Sequence, residues 1–101
     1  MKPKHIILKH TKTVKGIDLE NHELAERVGD LYYDALAEFL HELSDKLHRD
    51  GLADHKRGRV KLANELEQSA EHLAQAAKHI GVAWDICEPY VQQWKAAHGK
   101  V

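Results

Sequence analysis

The chain has very few of the residues that punctuate or cross-link a fold. Its 101 residues include one cysteine, two prolines, six glycines and only six aromatic side chains. A single thiol, Cys87, excludes an internal disulfide framework and suits a reducing compartment. So little glycine, proline and aromatic content disfavours a turn-rich β architecture and favours helices. No apolar run approaches the roughly 18 residues of a membrane span. The lysine-studded start lacks the apolar core of a signal peptide, so the expected location is cytoplasmic. There is no glycine-rich phosphate loop, no paired-cysteine metal knuckle, no serine elbow and no zincin motif.

What is present is charge, histidine and helical periodicity. The net charge is −1, but residues 1–16 carry five lysines and no acid, whereas residues 18–50 carry ten acids against three bases. A second basic knot, Lys56, Arg57, Arg59 and Lys61, lies between two long apolar patterns. The near-neutral total gives little long-range attraction for nucleic acid, so the asymmetry is read as internal complementarity. In this reading residues 1–17 form an extended basic arm, and residues 18–101 form a helical bundle domain.

From Leu24 through Val28, Leu31, Leu36, Leu40, Leu43 and Leu47, apolar residues recur at helical spacing. This predicts one helix of about 30 residues, roughly 45 Å long, capped by Asp18 or Asn21 and closed by Gly51 as its C′ residue. A second helix starts near Asp54 or Gly58 and carries Leu62, Ala63, Leu66, Ala70, Leu73, Ala77, Ile80 and Trp84. Its alanines predict a close helix–helix seam. Pro89 is expected to break or kink it, leaving a short third helix from Tyr90 to about Ala97. The fold class is therefore all-α: a long antiparallel hairpin with a short C-terminal helix. One hairpin cannot cover both stripes, so a homodimer with a four-helix core is the simplest arrangement.

Three groups of residues invite a chemical reading. Asp34, Glu38, His41, Asp45 and His48, spaced four, three, four and three, form one line along the first helix. Glu38-Phe-Leu-His41 and Asp45-Lys-Leu-His48 have the carboxylate-x-x-His spacing that directs two ligands to one ion. Zinc or another divalent metal would be the cofactor of that alternative. A helical wheel, however, puts the line opposite the apolar face, whereas bundle metal ligands project inward. The preferred reading is an acidic docking flank with no cofactor. Lys9, Lys12 and Lys15 complement Asp34 and Glu38, and Trp84 and Trp94 anchor a partner.

The segment Arg49-Asp-Gly-Leu-Ala-Asp-His55 resembles the Arg, polar residue, four residues, His signature of HEPN-domain ribonucleases, which are small all-helical dimers. The resemblance covers seven residues and implies Arg49 and His55 as an RNA-cleaving pair with Asp50 in support. The segment is expected on the turn between the helices. Taken together, the residues favour a non-catalytic interaction or regulatory module, with metal binding and RNA cleavage as the alternatives.

Overall fold

The computed structural model describes residues 10–99, and Lys2, Lys4 and Lys9 of the expected arm lie outside the described residues. The described chain is all-helical, at 80% helix with no strands. Three helices follow one another: α1 (Asn21–Gly29), α2 (Tyr33–Lys56) and α3 (Val60–His98). The chain divides into two compact units, with the division between Leu31 and Tyr32.

In the first unit, Glu20 is the residue that starts α1, in place of the expected Asp18 or Asn21. Its backbone N–H donates to the Glu23 carboxylate at 3.2 Å, half of a capping box that satisfies donors the helix leaves open. The Asn21 side-chain amide instead donates backward, to the Lys12 carbonyl at 3.1 Å. After Gly29 the chain leaves the helix over residues 30–32. The single 30-residue helix read from the leucine spacing is thus two helices. The spacing survives the break because three non-helical residues barely disturb an apolar pattern.

In the second unit α2 and α3 pair as an antiparallel hairpin. The 24 residues of α2 make a helix of about 36 Å, and the 39 of α3 one of about 58 Å. The turn is a Schellman motif. Gly58, at φ +80°, donates to the His55 carbonyl at 3.0 Å, and the Arg59 N–H donates to the Asp54 carbonyl at 2.9 Å. The Arg59 guanidinium also reaches the Asp54 carboxylate at 3.1 Å. Gly58 is therefore the C′ glycine expected of Gly51, which lies inside α2. Pro89 likewise does not end a helix, because α3 runs through it and no separate C-terminal helix exists.

The core of the hairpin is built from small residues. Ala63 and Ala70 are 5% exposed, Ala77 is 9% and Ser44 is 7%, and no large side chain among the described residues is fully buried. The expected alanine seam is present, and α2 answers it with Ala37, Ser44 and Gly51 at the same seven-residue spacing. The Ser44 hydroxyl donates to the Ala70 carbonyl at 2.7 Å, a contact between one side chain and the facing backbone. At Gly51 a Cβ would meet the Ala63 carbonyl oxygen and the Glu67 carboxylate at 3.4 Å, and Leu66 Cβ at 3.5 Å. Those are ordinary van der Waals distances, so a methyl fits without moving either helix. Gly51→Ala is accordingly expected to stabilise the hairpin by about 0.5–1 kcal/mol, the helix propensity difference, in chemical denaturation.

Candidate functional site: the two flanks of the hairpin

With the small-residue seam taken as the reference direction on α2, Leu36, Leu40, Leu43 and Leu47 stand about 40–100° to one side. Asp34, Glu38, His41, Asp45 and His48 stand about 40–120° to the other. On α3 the same construction puts Leu66, Leu73 and Ile80 on one side and Glu67 and Glu71 on the other, while Trp84, seven residues after Ala77, continues the seam line. A direct contact shows which sides adjoin, since His48 Nδ1 lies 2.8 Å from both carboxylate oxygens of Glu67. The hairpin is therefore a two-helix layer with one polar flank and one apolar flank.

The polar flank holds the predicted line of carboxylates and histidines. His48 bonds across the helices to Glu67, whereas Glu38, His41 and Asp45 are exposed along α2. Among the described residues no three histidine, cysteine, aspartate or glutamate side chains are grouped to hold a metal ion. The His48–Glu67 pair is about half exposed on both sides, so it contributes at most about 1 kcal/mol. Glu67 was not among the sequence candidates. Its partner lies 19 residues away, and only the hairpin register brings the two together.

Arg49 and His55 lie within α2 and not on the turn. Six residues along a helix place them about 120° apart around its axis and about 9 Å apart along it, so they do not converge within one chain. Asp50 takes the Lys46 ammonium at 2.6 Å. At the basic knot, the Asp54 carboxylate accepts a hydrogen bond from Arg59 and forms a longer ion pair with Arg57 at 3.9 Å.

The apolar flank is the larger feature. Leu43 and Leu62 on it are exposed, and the leucines between them are half-buried. At its open end Tyr32 stacks on Trp84, with ring centroids 5.8 Å apart, and the Lys95 ammonium sits 5.2 Å from the Tyr32 ring centre. Trp94 stacks on His98 at 4.2 Å. From Val82 onward the exposed residues Val82, Ile86, Tyr90 and Trp94 recur every four positions along α3. Trp84, Tyr90 and Trp94 stand out in the sequence as an aromatic cluster, whereas Val82 and Ile86 do not. Their every-fourth spacing was the available signal.

No helix among the described residues is long and apolar enough to cross a membrane. Comparison with protein-family models, characterised proteins and solved structures finds no match for this chain.

Proposed function

We propose that this chain is a non-catalytic helical interaction module that self-associates through the apolar flank of its hairpin, forming a homodimeric bundle. The observation that carries this reading is the composition of the core. A hairpin whose buried residues are alanine, serine and glycine leaves its leucines half-used. A continuous apolar flank of that size, bordered by charge, is the ordinary mark of a protein–protein contact. The acidic flank, with Asp34, Glu38 and Asp45, stays outward in such a dimer and suits a basic segment. The lysines at 9, 12 and 15 of another copy have that character.

Sedimentation equilibrium across protein concentration tests this. The expected result is a species of twice 11.5 kDa that Leu43→Glu converts to monomer without loss of helix content. Leu43 is exposed in the single chain, so the charge disturbs the contact and not the hairpin. A native chain that stays monomeric at about 100 μM, a concentration at which even a micromolar dimer is saturated, would refute the reading.

A further inference from the structure

The hairpin register leaves α3 much longer than its partner. Ser44 stands against Ala70, His48 against Glu67, and Gly51 against Ala63 and Leu66. Each step back along α2 advances one step along α3, so Tyr33 at the start of α2 stands level with Gly81. Residues 82–98 therefore run on for about 25 Å with no part of α2 beside them. Yet this overhang is no less apolar than the paired half. Ile86 is 66% exposed and Tyr90 67%, the two highest values among its large apolar side chains.

The apolar stripe of α3 ignores the point where α2 stops. Leu66, Leu73, Ile80, Cys87 and Trp94 follow one another seven apart, a heptad series whose midpoint is Ile80. Half of it lies on the hairpin and half on the overhang. We infer that the dimer is formed by two copies of α3 running antiparallel and crossing near Ile80, so that each overhang lies on the leucine flank of the other copy's hairpin.

The inference rests on the self-association proposed above and specifies its geometry. Turned about Ile80, the stripe sets Leu66 against Trp94 and Leu73 against Cys87, and it places Ala76 opposite Trp84. Cys87 and Ala76 thus give small partners to Leu73 and Trp84, the size alternation that knobs-into-holes packing favours. The contact is isologous, with the same two patches used by both copies. Each end becomes a three-helix bundle of α2, the first half of α3 and the partner's overhang. Stable dimers of ordinary size bury about 800 Å² per partner, and the two patches together are the apolar surface available for such a contact. A dimer centred on the hairpin alone would leave Ile86, Tyr90 and Trp94 in water.

Spin labels at Lys61→Cys in a Cys87→Ala background measure the arrangement. The offset dimer puts the two labels about 55 Å apart, whereas a dimer centred on the hairpin midpoint puts them about 30 Å apart or closer. The double variant Ile86→Glu/Tyr90→Glu is expected to weaken dimerisation at least 100-fold with helix content kept. A short distance, or a dimer indifferent to the double variant, overturns this geometry and leaves self-association standing. A native chain that is monomeric removes both.

Discussion

Ala70→Leu is expected to destabilise the hairpin by about 2–3 kcal/mol, since added methylenes in a filled core force the surroundings apart. For a domain of this size that corresponds to a fall in melting temperature of about 10–20 °C. Ala70 is 5% exposed and sits at the middle of the seam, with the Ser44 hydroxyl bonded to its own carbonyl. Helices that meet on alanine, serine and glycine approach to about 8 Å, the lower end of helix spacing. An isobutyl group at that point has no space between the backbones. The helices must separate, which breaks the 2.7 Å hydrogen bond and loosens the seam toward Ala63 and Ala77. Gln75→Leu, on the exposed outer side of α3, is the matched control and is expected to leave the melt unchanged. Circular dichroism melts at one fixed protein concentration make the comparison, because association raises apparent stability. An Ala70→Leu variant that melts like the native chain would show that the helices are not held this close.

Trp84→Ala is expected to cost about 3 kcal/mol, the low end for deleting a large aromatic side chain because this one is half-buried. Its indole stacks on Tyr32 at 5.8 Å where α2 begins, so the pair clasps the open end of the hairpin. Removal leaves the Tyr32 ring with only Lys95 above it. In the proposed dimer Trp84 faces Ala76 of the other copy, so the loss is expected to grow with protein concentration. Urea unfolding of native and variant chains at two concentrations measures both parts. Tyr32→Phe, which keeps the stack, is expected to behave as native. A loss under about 1 kcal/mol for Trp84→Ala, the scale of an ordinary surface change, would remove Trp84 from this role.

The leucine spacing and the alanine series were legible in the sequence because a single buried face writes its period into many residues at once. The punctuation was not. Gly51 and Gly58 are both plausible helix ends by residue type, and only packing separates them. Gly58 takes the left-handed turn at φ +80°, whereas Gly51 continues α2 and is buried against Ala63 and Leu66. Pro89 removes one backbone hydrogen bond, a local cost that the turns on either side of it outweigh, so α3 continues. The break at residues 30–32 has no glycine or proline after Gly29 to announce it. At the site, the line from Asp34 to His48 reads from spacing as standing opposite the apolar face, whereas it flanks the small-residue seam and His48 reaches across it. Its one cross-helix partner, Glu67, depended on a register that spacing within α2 does not contain.

The small-residue seam also bears on the heat capacity of unfolding. Heat capacity rises with the apolar area exposed when a fold opens. A hairpin closed on alanine, serine and glycine hides little such area. Taken alone, it should open with a small heat-capacity change and a shallow dependence of stability on temperature. In the proposed dimer, most of the heat-capacity change would then belong to the joining of two chains, and cold would dissolve that assembly before it undid the pairing of α2 with α3.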